Sequence, residues 1–180
     1  MMRDWDALKA AVAGGAQPKY IFFWGHRPQK DGSIGKGCFS QWWPSPFEVE
    51  GVEYASAEHY MMAEKARLFG DEVSRSAILR AATPAEAKKL GAQASGFVEE
   101  TWRQHRFDIV VAGNLARFTQ NADLGEFLRN TGERVLVEAS PVDRIWGIGL
   151  AEDDPRCQRP EQWQGLNLLG FALMEVRSRL

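Results

Sequence analysis

From Ser56 onward the chain is punctuated by helix start and stop signals set so close together that only short and medium helices fit between them. Ser56 is placed to cap a helix running to about Phe69, with Gly70 just past its end. A second helix spans Asp71 to Ala81. In Thr83-Pro84-Ala85-Glu86 the threonine caps, the proline takes the first helical position and the glutamate closes a capping box. Gly91 is expected to stop that helix. Thr101 to Phe118 is a longer helix, with Trp102, Phe107, Val110, Val111, Leu115 and Phe118 along a broad apolar face. Asp123-Leu124-Gly125-Glu126 reads as another capping box, opening a short helix stopped by Gly132. Asn167 is expected to cap a last helix that carries Leu169, Leu173 and Val176 on one side.

The strands this pattern leaves room for are few and short. Tyr20 to Trp24 is aromatic and β-branched, and Arg134 to Glu138 is a second strand. Phe47 to Tyr54 alternates apolar and polar residues around a Glu50-Gly51 turn, the pattern of a hairpin. A short helix over residues 4–13 ends at Gly14-Gly15, and His26 to Gly37 is a loop. The expected fold is therefore mainly α with a few short β-strands and hairpins, an α+β architecture. No repeat period and no long Pro/Gly/Ser tract divides the chain. One domain over 1–180 is expected, with 1–18 as a short N-terminal helical extension.

Composition narrows the function classes. Among 180 residues, 22 Lys+Arg stand against 24 Asp+Glu, a net charge of −2 that excludes a generic basic nucleic-acid coat but not a local basic groove. The 44% apolar and 26% charged fractions suit a folded core rather than disorder. Apolar runs such as Tyr20 to Trp24 fall far short of the ~20 residues a membrane helix needs. The N-terminal residues Met1 to Asp6 show no apolar core or cleavage signature. Cys38 and Cys157 form neither a disulfide framework nor a zinc motif. These features predict a soluble cytoplasmic protein with reduced thiols. His26, His59 and His105 lack metal-ligand spacing, and Gly32, Gly35 and Gly37 beside Lys36 form no phosphate loop, so neither metal nor cofactor is expected. Seven Trp against three Tyr leave two readings open, a pocket that stacks flat rings or a Trp-rich core.

Two stretches concentrate chemistry. At 3.6 residues per turn, Glu58, Met61, Met62 and Lys65 share one helix face. Either the acid and the amine rim a core contact, or they converge on a ligand. In the first turn, the helix dipole favours the anionic form of Glu58. Partial burial would lower the pKa of Lys65 and make its amine a nucleophile. The second stretch, Val137 to Gly149, is a strand end followed by a loop carrying Glu138, Ser140, Asp143 and Trp146. Gly147 and Gly149 there allow close backbone approach. The alternative is a structural turn with Asp143 as its cap.

Taken in order, these pieces resemble the YbiA-like, or NADAR, family. The resemblance rests on Ile21 to Trp24, Cys38-Phe39-Ser40, Gly51 to Tyr54, Ser56 to Met61, Lys65-Ala66, Leu90-Gly91 and Trp102. It continues through Thr131-Gly132, Leu136 to Ser140, Asp143, Ile145 to Leu150 and Gly165 to Gly170, from about residue 20 to the C-terminus. Met62 stands where the family often has Gln, and Gln41-Trp42 where it has Asn-Phe. The resemblance implies a single, mainly helical YbiA-like domain and an N-glycosidase. The substrate class it implies is an N-riboside, either a phosphorylated ribosylamino-pyrimidine of riboflavin synthesis or an ADP-ribose on guanine, free or within nucleic acid.

Carried over from the family are Glu58, Lys65, Trp102, Glu138, Asp143, Trp146 and Asn167. Glu58, Lys65 and Asp143 are the expected catalytic groups, with Lys65 a candidate for an imine with the ribose C1. Trp24, Trp42, Trp102 and Trp146 are candidate platforms for a flat base. Phe39, Ser40, Glu138, Gly147 and Asn167 complete the expected substrate-binding set. Glu58, Lys65, Trp102 and Asp143 are expected to line one pocket. Arg103 and Arg106 could attract a nucleic acid, or be solvated helix residues. The rival readings are a non-catalytic ADP-ribose or nucleotide-binding module, which needs neither Glu58 nor Lys65, and a Trp-rich interaction domain. Oligomeric state is left open.

Overall fold

The computed structural model describes residues 4–180, so Met1 to Arg3 of the N-terminal reading lie outside the described residues. Along the chain run α1 (Trp5–Ala13), β1 (Tyr20–Phe23), β2 (Phe47–Val49), β3 (Val52–Tyr54), α2 (Ala57–Leu68), α3 (Glu72–Leu79) and α4 (Pro84–Ala92). Then come α5 (Glu99–Gln120), α6 (Ala122–Arg129), β4 (Val135–Glu138) and α7 (Leu168–Arg177). Short 3₁₀ turns occupy Lys36–Phe39, Pro155–Gln158 and Pro160–Gln162. The architecture is mainly helical with short strands, as the capping pattern implies. No helix among the described residues is long and apolar enough to cross a membrane.

The described residues form two compact units, one comprising 4–40 and 123–180, the other 41–122. The first unit is built on a strand pairing that local patterning does not reveal. β1 and β4, far apart in sequence, run parallel with Tyr20 opposite Val135 and Phe23 opposite Glu138. α7 packs on β4, and Gly170 makes that possible, since a Cβ there would run into the Leu136 carbonyl oxygen. Phe22, Phe23, Phe39, Leu136, Val137, Phe171 and Leu173 fill this core.

The second unit is a helical bundle with a hairpin at its edge. β2 and β3 pair antiparallel, and the turn residues Glu50 and Gly51 both adopt positive φ, as a two-residue hairpin requires. α3, α4 and α5 all pack around α2. As a result, Ala57 through Ala63 are buried on every side, and α2 has no solvent face in its first two turns.

Three local expectations differ from the structure. α4 continues through Gly91, which is not a stop. A Cβ there would collide with the Met62 side chain, so the glycine serves close packing of α4 on α2. Asp123 lies inside α6 rather than before it. α5 begins at Glu99 rather than Thr101, with Glu99 and Glu100 in its first turn complementing the dipole.

Candidate active site

In the helical unit the candidate site grows from the first two turns of α2. The Ser56 side chain caps α2 by accepting the His59 N–H at 3.3 Å. Ser56 Oγ also lies 2.7 Å from His59 Nδ1, while His59 Nε2 lies 3.0 Å from the Ala81 carbonyl. The carbonyl can only accept, so Nε2 donates to it, while Nδ1 shares a hydrogen bond with the serine hydroxyl. An imidazole engaged through both ring nitrogens thus ties the start of α2 to Ala81, just past the end of α3. This fixes the helix turn that presents Glu58.

Glu58 is 4% exposed, and its backbone N–H donates to the Gln41 carbonyl at 3.0 Å. Gln41 is itself buried, accepting from Asn114 Nδ2 at 2.7 Å and lying 3.7 Å from Met61 Sδ through its own amide. Asn114 Nδ2 also donates to the Val110 carbonyl one turn back on α5. The position where family members carry Asn is thus occupied here by a glutamine that joins α2 to α5.

Lys65 sits two turns beyond Glu58 and is half-buried. Its Nζ lies 4.5 Å from the Phe97 ring centroid and 5.6 Å from that of Trp102. Burial pushes the ammonium below its ordinary value of 10.5, and the charges of Glu99 and Glu58 partly offset that shift. Lys65 therefore lies within electrostatic reach of Glu58. The structure brings together the acid, the amine and Trp102, which is itself buried.

Phe97 and Glu99 are parts of this surrounding that sequence reading missed. Val98 is the residue before α5, so Phe97 and Trp102 take the spacing of a hydrophobic staple across the helix start. That pattern was available in the sequence. Phe97 also meets Phe69 edge-on at 5.3 Å and stays 40% exposed, so its ring covers the amine from the outside.

In the strand unit the candidate residues follow the carboxyl ends of the parallel strands, where open α/β sheets bind ligands. Trp24 directly follows β1 and is 61% exposed. Glu138 ends β4 and is half-buried. Beyond it the chain is held by a dense set of local bonds. Ser140 Oγ accepts from Asp143 N at 3.1 Å, and Asp143 Oδ1 accepts from Ile145 N and Trp146 N, each at 2.8 Å. The capping role weighed for Asp143 is therefore real, and Oδ1 is committed to it. Gly147 lies against the Glu138 and Asp143 carbonyls, which a Cβ would meet at 2.9 and 3.0 Å. Trp146 remains half-buried and Ser40, like Trp42 of the helical unit, is partly accessible.

Two of the expected binding residues are held in framework contacts. Phe39 is fully buried, with its ring 5.5 Å from Phe23 and 5.4 Å from Phe127, so it is a core residue. Asn167 is also fully buried, in a left-handed conformation at φ 54°, and its side chain makes no capping bond to α7. It clamps β4 instead, accepting from Glu138 N and donating to the Leu136 carbonyl, both at 2.9 Å. Its amide acts as a short substitute strand, because its carbonyl and NH₂ match the alternating groups of a strand edge.

The tryptophan surplus divides between the two readings. Trp5 Nε1 donates to the Pro160 carbonyl and Trp163 Nε1 to the Cys157 carbonyl, so both are framework. Cys157 is buried, and burial together with nearby Asp154 raises its thiol pKa, which makes it a poor nucleophile. Arg106 is buried and only Arg103, paired with Glu100 at 3.3 Å, faces solvent. Among the described residues, no group of three His, Cys, Asp or Glu side chains is disposed to hold a metal ion.

The family signature of the NADAR domain matches residues 22–180, a span that includes every residue placed above from Trp24 to Asn167. The chain belongs to the NADAR family. N-glycosidase R617 of Acanthamoeba polyphaga mimivirus is 43% identical over 164 residues, covering 88% of this chain and 95% of the relative. N-glycosidase YbiA of Escherichia coli K12 is 31% identical over 144 residues, covering 80% and 81% of the two chains. The NMR structure of E. coli YbiA matches with a TM-score of 0.71 at 29% identity, over 91% of this chain and 86% of the other. Within the NADAR family this chain is an enzyme of the N-glycosidase class.

Proposed function

We propose that this NADAR protein hydrolyses the C1–N ribosidic bond of a nucleotide-like substrate, with Lys65 as a covalent nucleophile. One observation carries the reading: a half-buried amine, less basic than an ordinary lysine, lies against two aromatic rings and within reach of a buried glutamate. The rings and the nearby acids favour the ammonium, and burial outweighs them, leaving the amine less basic than an ordinary lysine. A nucleophile gains a free lone pair.

The steps follow from those groups. As the bond from C1 to the base nitrogen breaks, positive charge develops on the sugar, and the Glu58 carboxylate stabilises it. The leaving nitrogen takes the bond's electron pair and a proton. The neutral Lys65 amine bonds to C1 and loses its own proton. The nitrogen lone pair then forms C=N as the C1–O bond of the ring breaks, and the ring oxygen takes a proton. Water adds to C1, the amine departs, and the free sugar is released. Trp42 and Trp102 of the helical unit are the candidate platforms for the base, and the family resemblance adds Asp143, Trp24 and Trp146 of the strand unit as further candidates. The substrate class is an N-riboside carrying phosphate, either a riboflavin-pathway ribosylamino-pyrimidine or ADP-ribosylated guanine. The buried thiols Cys38 and Cys157 fit a reducing compartment such as the cytoplasm.

Incubation with each N-riboside, followed by mass analysis of products, tests this. The expected result is free base and the corresponding sugar phosphate from one of the two. Binding of both without any product would make the protein a nucleotide-binding module instead.

A further inference from the structure

The strand unit has a concave surface at the other end of the β1–β4 ladder from Glu138 and Asp143. Lys19 immediately precedes β1 and Arg134 immediately precedes β4, while the candidate residues follow the strands. α7 runs back along β4, from Asn167 beside Glu138 to Arg177 beside Arg134. The ten residues of α7 rise about 15 Å, matching the length of the strand beneath them. The groove at this far end encloses about 1200 Å³, and Lys19, Thr131, Glu133, Arg134, Met174 and Arg177 are among its walls.

Its charge is unbalanced. Three cationic side chains face one carboxylate, Glu133, in a chain whose net charge is −2. Both guanidinium groups are held in place by neutral acceptors. Arg177 Nη1 donates to Thr131 Oγ1 at 2.6 Å and to the Arg134 carbonyl at 2.9 Å. Arg134 donates from Nε to the Thr131 carbonyl and from Nη2 to the Asn130 carbonyl, both at 2.8 Å. Neither forms an ion pair with an acid among the described residues. Burial, and next the charge of Arg134, push the Arg177 guanidinium below its ordinary value, with Glu133 only partly opposing. Two like charges are thus fixed side by side at the wall of a groove, a cost that a bound anion would relieve.

We propose that this groove is a second binding site, separate from the candidate active site, for a small phosphorylated ligand of nucleotide size. Phosphate suits the N–H groups that these bonds leave over, Arg177 Nε and Nη2 and Arg134 Nη1, through charge-assisted bonds to several oxygens. The groove has room for a whole organic ligand around the phosphate, with a volume of about 1200 Å³. Met174 lines the apolar part of the groove, and Gln17 and Asn130 offer amide groups to a ligand's polar edges.

Backbone amide NMR on the full chain, titrated separately with ADP, inorganic phosphate and a single-stranded oligonucleotide, tests the site. ADP should shift the amides of Thr131 to Arg134 and Ser178 with saturation by about 1 mM, and phosphate should shift the same amides about tenfold more weakly. Shifts in the loop from Ser140 to Gly149 report the candidate active site, so the two sites are read independently. Lys19→Ala, Arg134→Ala and Arg177→Lys should each weaken the groove shifts by about three- to tenfold, leaving the loop shifts and turnover unchanged. Among the described residues Lys19 makes no side-chain hydrogen bond, so Lys19→Ala keeps the test alive if an arginine variant fails to fold. No groove shift with ADP overturns the proposal. So does phosphate binding as tightly as ADP, which means an ion site only, or a response to the oligonucleotide alone, which means a nucleic-acid surface.

Discussion

The two units hold their candidate residues by different means. In the helical unit, Glu58 and Lys65 project from a helix enclosed by three others, and their environment is made of side chains: Gln41, Asn114, Phe97 and Trp102. In the strand unit, Asp143 and Trp146 stand on a loop held by hydrogen bonds to its backbone, with Asp143 itself supplying two of them. The difference separates chemistry from scaffolding. A carboxylate on a rigid helix leaves the backbone to be held by other groups. A carboxylate that caps its own loop performs both tasks, and only chosen substitutions pull them apart.

The largest expected effect is on rate. Glu58→Gln keeps the shape and removes the charge facing the developing cation, so kcat should fall about 10²- to 10³-fold, or about 3–4 kcal/mol, while the thermal melt stays in place. Collapse of the melt would recast Glu58 as a packing residue. Next comes a pure stability effect in the strand unit. Asn167→Ala leaves Glu138 N–H and the Leu136 carbonyl without their partner, which should cost about 3 kcal/mol in urea denaturation. An unchanged midpoint would show that the clamp is dispensable.

Asp143 sharpens the comparison. Asp143→Ala removes the acceptor for Ile145 N and Trp146 N and should cost about 1–2 kcal/mol of stability as well as activity. Asp143→Asn retains an oxygen acceptor, so the melt should recover while the rate does not. Full recovery of both would assign Asp143 to the loop alone.

A smaller effect is a shift in pH dependence. The neutral amine is the reactive form, so the rate should rise with pH through an inflection below 10.5. Stability follows the same group. The folded state releases the Lys65 proton before the unfolded state does, so the burial penalty is present at neutral pH and fades as pH climbs from the folded pKa towards 10.5. Glu99 raises the Lys65 pKa, so Glu99→Gln should move the rate inflection to lower pH. A move to higher pH would show that the inflection belongs to another group.

What the sequence disclosed follows the range of the interactions involved. Helix starts at Ser56, Asp71 and Thr83 were legible because each cap is a bond to an N–H three residues on. The Glu50-Gly51 hairpin was legible for the same reason. The β1–β4 pairing was not, because the partners are separated by the entire helical unit. Asn167 sits at the residue before α7, but whether it caps that helix or clamps a strand depends on a β4 that lies beside it only in the fold. Gly91 looked like a helix end because its role, room for Met62, comes from another helix. At the site, the spacing of Glu58 and Lys65 was readable from helical geometry. The cover supplied by Phe97 rests on a staple spacing that identifies a helix start and says nothing of the lysine beside it.

The central claim is that Lys65 bonds to the sugar. Borohydride added during turnover of the accepted N-riboside reduces an imine to a stable amine, and intact-mass and peptide analysis then locates it. The account predicts one sugar adduct per chain, on Lys65, absent in Lys65→Ala. No adduct, together with a Lys65→Arg variant that keeps most of its activity, would contradict it, because a guanidinium can hold a phosphate but is a very poor nucleophile.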